Sequence, residues 1–450
     1  MGRYHFIAIG GIGMSGLAKY LLEDGHEVSG SDIADSKYVD KIRTLGGKVY
    51  IGHSSENVPK NAIVVVSTAI KENNPELVRA KELGLKIFHR SDLLAQIASQ
   101  AQADGKCFIG FSGTHGKTTT SGMASYVLEK AGLAPSFVDG GILPDINTNA
   151  QHKAGKHFIA ELDESDGTIV KYSPDILVIN NLEEDHIDFY KNGMKDLVST
   201  FQNELKHSKK VLVNIDNEGV KLLNGDFITF GLSNADYTAK NIRYNSDSTS
   251  FDIYYKDSKL SDIRIQLAGV HNVYNTLAVA AALNEAGVSL EEVKQNFYDF
   301  TGMGRRFQKV LELNGFIVYD DYAHHPTEIK ATLDAASLKF GKENIVAVFQ
   351  PHRYTRLKSL WKEFLSAFDN AGRVIVTDVY AASEDAIPEI TGENFAKELG
   401  CEYLSGSMDE VAEKLATTLK AGNIVIGLGA GTITNLGKSI ERANNVASRI

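Results

Sequence analysis

The chain has 450 residues, 43% hydrophobic and 23% charged, enough for sizeable buried cores and for about two to four domains. Its formal net charge of -10 argues against a general nucleic-acid or anionic-membrane surface. Cys107 and Cys401 are too few for a disulfide framework or a cysteine metal cluster. The sequence has no basic, apolar leader and no apolar run approaching ~18 residues, so we expect a cytoplasmic protein without membrane insertion.

The first part of the chain reads as an α/β unit with a glycine-rich turn. A strand at residues 4–9 precedes G-I-G-M-S-G, a helix follows to about residue 24, and the next strand ends at Asp32. This spacing is typical of a turn that binds a pyrophosphate, with the acidic residue on a ribose. The residues alone leave open a dinucleotide cofactor or another ligand with a pyrophosphate and a ribose. A further strand at 62–67 ends in small polar residues at the same edge.

The stretch C-F-I-G-F-S-G-T-H-G-K-T-T-T, residues 107–120, predicts a phosphate site. Residues 98–106 before it are polar or small, which suggests a linker. An apolar strand ends in a glycine turn and a helix follows, so backbone N–H groups and a helix N-terminus can hold an anion. Lys117 adds a positive charge, and the Thr118 hydroxyl suits Mg²⁺. The turn is shorter than the common P-loop, because Phe111 stands where that pattern has glycine.

Two acidic segments follow apolar strands in the same part of the chain. The first contains Glu161 and then Asp163, Glu164 and Asp166. One of these carboxylates is a candidate metal ligand, and solvated loop acids are the alternative. The second segment, after a strand at 175–180, contains His186, which could bind a metal, handle a proton or simply face solvent.

The rest of the central part contains more strands and then an alanine-rich helix that ends near residue 286. Three polar side chains at the start of this helix could cap it or contact a base and a ribose: His271, Asn272 and Asn275. A glycine hinge follows with Arg305 and Arg306, which either face solvent or clamp a phosphate.

The remaining residues read as a third α/β unit. Four apolar strands, at 315–319, 344–349, 373–377 and 423–428, each end in a polar or glycine-rich cluster. Because the carboxyl ends of parallel strands meet at one edge of a doubly wound sheet, we expect these clusters to line one crevice. The clusters contain Tyr322, His324, Arg353 and Arg356. The sequence therefore predicts domains at 1–97, 98–304 and 305–450.

Motifs in all three parts occur in a fixed order: G-G-I-G-M-S-G-L-A, G-T-H-G-K-T-T, D-E-S-D, E-D-H-I-D, H-N-V-Y-N, D-D-Y-A-H-H-P-T-E and F-Q-P-H-R-Y-T-R. One of them would be a weak signal, but by the ordered set the chain resembles the Mur ligase family along its whole length. The resemblance implies an α/β fold of three domains: an N-terminal Rossmann-like nucleotide-sugar domain, a central P-loop ATPase-like domain and a C-terminal Rossmann-like domain.

The resemblance also implies an activity. The implied activity is that of an ATP-dependent ligase of peptidoglycan synthesis, which joins L-alanine to the lactyl carboxylate of UDP-N-acetylmuramate through an acyl phosphate. The expected cofactors are ATP and Mg²⁺, and the expected partners are the two substrates, with no nucleic acid. We expect a monomer or a weak homodimer.

By the same resemblance, the glycine turn binds the UDP pyrophosphate and not a nicotinamide cofactor. The UDP-sugar residues are Gly11, Ile12, Gly13, Met14, Ser15, Asp32, Ser67, Thr68, Ala69, Asp163, Glu164 and Ser165. The ATP residues are Gly113, Thr114, His115, Gly116, Lys117, Thr118, Thr119, His271, Asn272, Asn275, Arg305 and Arg306. The metal ligands are Thr118, Glu161 and His186. Tyr322, His324, Arg353 and Arg356 bind the amino acid, and the catalytic set is Lys117, His186, His324, Arg353 and Arg356.

Two features depart from the family pattern. Several relatives carry a carbamoylated lysine beyond the E-D-H motif, but residues 198–203 contain no lysine, so we expect unmodified metal ligands. Thr432 stands where the terminal glycine motif is followed by aspartate, and we assign it no role. The attacking amine must be neutral, and the sequence leaves open whether His186, His324 or a bound water takes its proton.

Rival functions stay open at this point. The nearest is a ligase that attaches a tripeptide to the same nucleotide sugar, although its glycine turn usually contains cysteine and phenylalanine. Folylpolyglutamate synthetase shares the second and third domains but lacks this nucleotide-sugar domain. A non-catalytic nucleotide sensor is disfavoured by the intact set of Lys117, Glu161 and His186. An oxidoreductase would require tight NAD binding.

Overall fold

The computed structural model describes residues 1–185, 189–245, 247–382 and 384–447. Three sheets follow one another along the chain, and helices connect their strands. The predicted fold class, an α/β protein with three sheet-containing domains, is confirmed. No helix within the described ranges is long and apolar enough to cross a bilayer.

The first sheet has five strands: β1 (Arg3–Ile7), β2 (Glu27–Asp32), β3 (Lys48–Ile51), β4 (Ile63–Val66) and β5 (Ile87–His89). They pair in parallel in the order β3-β2-β1-β4-β5. The helices of this part are α1 (Ile12–Glu23), α2 (Lys37–Thr44), α3 (Pro75–Glu82) and α4 (Arg90–Ala103). The strand order reverses at β1, and open parallel sheets bind ligands at the carboxyl ends of the strands at such a point.

The second sheet has ten strands: β6 (Cys107–Ser112), β7 (Ser136–Leu143), β8 (Thr148–Gln151), β9 (His157–Glu161), β10 (Ile176–Ile179), β11 (Lys210–Asn214), β12 (Ile228–Gly231), β13 (Tyr237–Tyr244), β14 (Thr249–Tyr255) and β15 (Ser258–Ile265). Its order is β15-β14-β13-β12-β11-β10-β6-β9-β7-β8. The accompanying helices are α5 (Lys117–Lys130), α6 (Met194–Glu204), α7 (Val270–Glu285) and α8 (Leu290–Asp299). β6 pairs in parallel with β10 and β9, so the turns after these three strands share one edge.

The third sheet has six strands: β16 (Gln308–Leu313), β17 (Phe316–Asp321), β18 (Ile345–Phe349), β19 (Arg373–Thr377), β20 (Glu402–Leu404) and β21 (Ile424–Leu428). Their order is β16-β17-β21-β18-β19-β20, and only β16 pairs antiparallel. The helices are α9 (Pro326–Phe340), α10 (Tyr354–Ser359), α11 (Trp361–Leu365), α12 (Gly392–Leu399), α13 (Met408–Ala416) and α14 (Leu436–Ala447). The four predicted strands lie in one parallel array, so the expectation that their polar clusters share an edge is confirmed.

The described residues fall into two compact units. The first unit contains Met1–Arg243, Ser250–Ile265 and Tyr274–Thr301, and the second contains the remainder, including the third sheet. The three domain ranges drawn from the sequence stay a prediction. The linker predicted at 98–106 is wrong for its first part, because α4 continues to Ala103. Small alanines such as Ala98 and Ala101 made this stretch look unstructured, but they are good helix formers and are buried in the core.

Candidate active site

The glycine turn after β1 is held by the acidic residue at the end of β2. Gly11 is the N-cap of α1, and the backbone N–H of Gly10 donates to Oδ2 of Asp32 at 2.8 Å. A Cβ atom on Gly10 would lie 2.9 Å from that same oxygen, so a side chain here would displace the Asp32 carboxylate. The turn and Asp32 are therefore brought together as the G-x-G-x-x-G spacing predicts.

The predicted UDP-sugar residues around this turn differ in exposure. The side chains of Met14 and Ser15 are buried, so the part of these residues available to a ligand is the backbone at the start of α1. After β4, Ser67 is half-buried, and Thr68 and Ala69 are exposed at the same edge of the sheet.

Two residues that sequence reasoning missed contact the turn. Nδ2 of Asn149 donates to the carbonyl of Ile12 at 2.7 Å. Nη1 of Arg90 lies 3.5 Å from the position of a Cβ on Gly13, and Nη2 donates to Oδ2 of Asp163 at 3.0 Å. Arg90 thus links the glycine turn to the D-E-S-D segment. Its one sequence signal is its place directly after the apolar residues of β5.

The phosphate turn runs from β6 into α5 as predicted. Gly113 and Gly116 have φ of +122° and +85°, which glycine adopts readily. A Cβ on Gly113 would lie 2.7 Å from the Asn181 carbonyl. Thr114 N–H donates to that carbonyl at 3.1 Å, and His115 N–H donates to the Asn181 side chain at 2.7 Å. The carboxyl end of β10 therefore holds the turn.

Gly116 is covered by two side chains. Oδ1 of Asn275 would lie 2.7 Å from its Cβ position, and Nδ2 of Asn180 would lie 3.1 Å from it. Asn275 was expected to face adenine and ribose, and in the structure it is buried against the phosphate turn. Glycine precedes Lys117 because the turn leaves no space for a side chain at this position.

Lys117 is the most constrained side chain of the turn. Its Nζ lies 3.0 and 2.9 Å from the two carboxylate oxygens of Glu164, and it donates to the carbonyl of Gly113 at 2.7 Å. Burial lowers the pKa of Lys117, but Glu164, Asp163 and Glu161 outweigh burial and raise it above its ordinary value. Burial raises the pKa of Glu164 to about 7, against the opposing effect of Lys117.

The other predicted acids of this region occupy distinct places. Partial burial raises the pKa of Asp163, but Lys117 and Arg90 outweigh it and lower that pKa to about 2. Ser165 N–H donates to Oδ1 of Asp163 at 3.1 Å, which fixes the D-E-S-D turn. Glu161 ends β9, and its Oε2 accepts from the Gly140 N–H at 3.0 Å.

The residues at this edge fit a magnesium ion. A Cβ on Gly140 would lie 2.2 Å from Oε2 of Glu161, so glycine leaves the space that the carboxylate occupies. Glu161 and the Thr118 hydroxyl are oxygen ligands of the kind Mg²⁺ prefers. Burial raises the pKa of Asp139, on the adjacent strand β7, well above its ordinary value. The third predicted ligand, His186, lies outside the described residues.

In the second unit, the hinge arginines contact Tyr322. The Cζ atoms of Arg305 and Arg306 lie 4.8 and 5.3 Å from the centre of the Tyr322 ring. Arg305 donates to Oδ2 of Asp320 at 3.2 Å, and Nη1 of Arg306 is 3.5 Å from Oε1 of Glu328. These contacts assign the hinge pair to the edge of the third sheet.

His324 stands at the centre of that edge. Its Nδ1 is 2.9 Å from the Tyr322 carbonyl, its ring centre is 5.8 Å from that of His352, and Nη1 of Arg356 is 3.3 Å from Nδ1 of His352. Burial and the Arg356 charge lower the pKa of His324 to about 3. Burial and the neighbouring arginines lower the pKa of His352 to about 4. Both rings are therefore neutral at pH 7.

Arg353 has a positive φ of 71°, and its Nε donates to Oε1 of Glu384 at 2.6 Å. Thr432, which has no role assigned from its sequence position, accepts from Nε2 of Gln350 at 2.9 Å. This bond joins the end of β18 to the glycine turn after β21. The predicted amino-acid residues Tyr322, His324 and Arg356 thus form one cluster, and Arg353 lies with Arg356 in the segment that follows β18.

The last two predicted ATP residues in this unit are His271 and Asn272. Nδ2 of Asn272 donates to the Ala268 carbonyl at 2.8 Å and is 3.0 Å from Nε2 of His271. Burial lowers the pKa of His271 to about 4. Asn272 therefore joins the first turn of α7 to the residues just before the helix.

Comparison with known families gives three matches in chain order. Residues 3–102 match the model for the Mur ligase family, catalytic domain. Residues 111–283 match the Mur ligase middle domain, and residues 305–431 match the Mur ligase glutamate ligase domain.

Individual proteins are similar over the whole length. The UDP-N-acetylmuramate–L-alanine ligase of Geotalea daltonii is 41% identical over 97% of both chains, and that of Trichlorobacter lovleyi is 40% identical over 98% of both. The crystal structure of the UDP-N-acetylmuramate-alanine ligase of Thermotoga maritima superposes with a TM-score of 0.83 at 29% identity, covering 100% of both chains. A murein peptide ligase of Psychrobacter arcticus, at 21% identity, has a TM-score of 0.74 over 100% of this chain and 99% of its own, which shows a shared fold alone.

Proposed function

The chain belongs to the Mur ligase family, and on that premise we propose that it joins L-alanine to the lactyl carboxylate of UDP-N-acetylmuramate while ATP is converted to ADP and phosphate. The observation that carries the proposal is the similarity of about 40% over nearly the entire chain to ligases of that specificity. The site residues described above support the same chemistry.

The first step activates the carboxylate. The γ-phosphoryl group of ATP passes to the lactyl carboxylate, the bond to the β-phosphate oxygen breaks, and an acyl phosphate and ADP form. Both reactants are anionic, so the reaction needs fixed positive groups where charge spreads in the transition state. Lys117, charged and rigidly held, supplies one at the phosphate turn.

Bound Mg²⁺ would neutralise charge on the phosphate oxygens. Glu161 and Thr118 are the described residues that would hold it, and His186 completes the proposed set. The backbone N–H of Gly140 keeps the Glu161 carboxylate at the end of β9.

The nucleotide sugar is proposed to bind on the first sheet. The glycine turn and the N-terminus of α1 offer N–H groups to the pyrophosphate, and Asp32 lies beside them for the ribose. Arg90 adds a guanidinium between this turn and Asp163, on the path from the pyrophosphate toward the D-E-S-D segment. We propose it as a further contact of the anionic substrate.

The second step forms the amide. The neutral amine of L-alanine attacks the acyl carbon, the carbon–phosphate oxygen bond breaks, and phosphate leaves. Arg356 and Arg353 are suited to the amino-acid carboxylate. Nδ1 of His324 faces a carbonyl and must carry the proton there, so its Nε2 is an acceptor. With its pKa lowered to about 3, His324 is a weak base. It is therefore better suited to orienting the amine than to retaining the proton that the amine loses.

We propose that the protein acts in the cytoplasm, where ATP and nucleotide sugars are available, as a monomer or a weak homodimer. The glycine turn G-I-G-M-S-G favours L-alanine over the tripeptide of the recycling ligase as the amine.

The test is phosphate release from ATP with UDP-N-acetylmuramate and one acceptor at a time: L-alanine, glycine, L-serine or the tripeptide. Release should require both the sugar and L-alanine, and Lys117→Ala should abolish it. Lys130→Ala, at the exposed end of the same helix, is the matched control and should leave it unchanged. Release with the tripeptide alone would assign the recycling activity instead. No release with any acceptor would favour the non-catalytic nucleotide sensor.

A further inference from the structure

A buried polar network lies inside the first sheet, outside the residues assigned above. At its centre is Glu76, in the first turn of α3, whose side chain is 0% exposed. Ser31 Oγ is 2.5 Å from Oε2 of Glu76 and 2.9 Å from Nδ1 of His53. Asn57 Nδ2 and the Ser54 N–H donate to Oε1 at 2.7 and 3.2 Å. Glu76 therefore holds the residues that follow His53 in its loop and, through Ser31, contacts the strand beside it.

The network fixes where the protons lie. Glu76 is an ionised carboxylate, because its hydrogen bonds lower its pKa to about 2 despite burial, and an ionised carboxylate only accepts. The single proton of Ser31 Oγ therefore points to Glu76. The Ser31 oxygen can then only accept from His53, so Nδ1 of His53 carries a hydrogen. In the neutral ring, Nε2 is left with a lone pair.

The remaining groups near the network do not change this order. His5 is also buried, with Nδ1 2.9 Å from Ser29 Oγ and Nε2 3.5 Å from Oε2 of Glu76. It faces Glu76 from β1 and does not contact the Nε2 side of His53. Among the described residues, none is hydrogen-bonded to Nε2 of His53, and that side chain is 17% exposed.

His53 lies at the same edge of the first sheet as the glycine turn and Asp32. It follows β3, whose last residue, Ile51, is paired with Asp32, and the Gly52 N–H donates to the Asp32 carbonyl at 2.8 Å. The carboxyl ends of β1, β2 and β3 are adjacent, with the glycine turn on the first and Asp32 on the second. A pyrophosphate on the turn and a ribose at Asp32 extend the ligand in the direction of β3.

We propose that His53 is a specificity-determining residue for the uridine of the nucleotide sugar, and that its Nε2 accepts a hydrogen bond from the N3–H of uracil. The proposal rests on the proposed function, since it assumes a UDP-sugar on this sheet. Uracil has a donor at N3, and an imidazole locked by Ser31 and Glu76 presents a matching acceptor. The buried carboxylate therefore selects a ligand that it does not touch.

The experiment measures binding of UDP, 3-methyl-UDP and 2′-deoxy-UDP to the full chain by competition with UDP-N-acetylmuramate. Wild type should bind 3-methyl-UDP about tenfold more weakly than UDP, as expected when one buried hydrogen bond is lost. In His53→Ala this ratio should fall to near one. In His53→Gln, whose side-chain carbonyl is also an acceptor, the preference should be kept, which a purely steric effect of the methyl group would not produce.

His26→Ala is the matched control, because this histidine is similarly exposed at 22% but precedes the amino end of β2. It should keep the wild-type ratio. The proposal would be overturned if wild type and His53→Ala discriminated equally between UDP and 3-methyl-UDP. It would also be overturned if His53→Ala instead removed the discrimination between UDP and 2′-deoxy-UDP. Nitrogen NMR of labelled histidine tests the tautomer directly: the wild type must show hydrogen on Nδ1 of His53, and hydrogen on Nε2 also overturns the proposal.

Phosphate release by the wild type is measured in parallel. If the wild type releases no phosphate with UDP-N-acetylmuramate and L-alanine, the proposed function fails, whatever the UDP ratios show. If it releases phosphate and His53→Ala keeps the wild-type ratio, only the role of His53 fails.

Discussion

The ammonium of Lys117 lies within 3.0 Å of both carboxylate oxygens of Glu164, and the Glu164 side chain is only 1% exposed. The phosphate-turn lysine is therefore one partner of a buried pair with Glu164. Breaking such a pair by removing one partner is strongly destabilising, whereas replacing both partners often is not. This difference allows the structural and the chemical contribution of Lys117 to be separated.

We predict that Lys117→Met destabilises the region around α5 by roughly 3 kcal/mol and lowers phosphate release at least about 100-fold. The cost in stability is at the lower end for a broken buried pair, because Glu164 can take up a proton. Amide hydrogen exchange of α5 measures the first effect, and phosphate release measures the second.

The double variant Lys117→Met with Glu164→Gln is the control for this prediction. Exchange protection of α5 should return close to wild type, because no buried charge is left unpaired. Phosphate release should stay low. Recovery of activity in the double variant would mean that Lys117 serves the fold and not the phosphate.

A second prediction concerns Arg90. Arg90→Gln should raise the KM for UDP-N-acetylmuramate about tenfold, since a hydrogen bond to a charged group contributes about 1.5–3 kcal/mol. The KM for L-alanine should change little. Arg79→Gln removes an arginine from an exposed pair with Glu82 in the same sheet region and should change neither value. Equal rises in both KM values for Arg90→Gln would point to a structural defect instead of a substrate contact.

A third prediction concerns the metal. Glu161→Gln should raise the Mg²⁺ concentration needed for half-maximal phosphate release by roughly 100-fold, because the amide is a weaker ligand than the carboxylate. Gly140→Ala should act in the same direction, since its Cβ would lie 2.2 Å from the Glu161 carboxylate. Asp166→Asn is the control and should leave the Mg²⁺ requirement unchanged, because the Asp166 carboxylate accepts hydrogen bonds from the Thr168 N–H and hydroxyl. An unchanged Mg²⁺ requirement in both Glu161→Gln and Gly140→Ala would remove Glu161 from the ligand set.

The sequence predicted those parts of the fold that depend on local patterns. The unbroken apolar runs of β6, β10, β18 and β21 were recognisable because parallel strands buried on both faces need no polar residues. The glycine turns were recognisable because a positive φ and close approach restrict the residue type, as at Gly113. The short strands β3 and β5 were missed, since three or four residues give too little periodicity.

The contacts of the site were less predictable, because they join residues far apart in sequence. Arg90 meets Asp163 across 73 positions, and Ser31 meets Glu76 across 45. Nothing in the sequence around Glu76 distinguishes it from the exposed glutamate Glu82 on the same helix. Only the packing of α3 on the sheet places its carboxylate next to His53 and gives the network its proton order.

Glu76 also gives the prediction with a defined pH dependence. Its pKa of about 2 lies below the ordinary value of 4.5, so the unfolded chain binds the proton more tightly than the folded one. The resulting stability is fully present above about pH 4.5 and is lost as the pH falls toward 2. The difference between the two pKa values corresponds to about 3 kcal/mol.

We therefore predict that Glu76→Gln reduces the protection of β1 and β2 against amide hydrogen exchange by about 3 kcal/mol at pH 7, and by about 1.4 kcal/mol at pH 3. Hydrogen exchange is the suitable measurement, because Trp361, the one tryptophan of the chain, lies in the third-sheet part and does not report on the first sheet. Glu82→Gln, from an exposed pair on the same helix, should change protection at neither pH. An equal loss at pH 7 and pH 3 would mean that Glu76 stabilises the sheet by its shape and not by its charge.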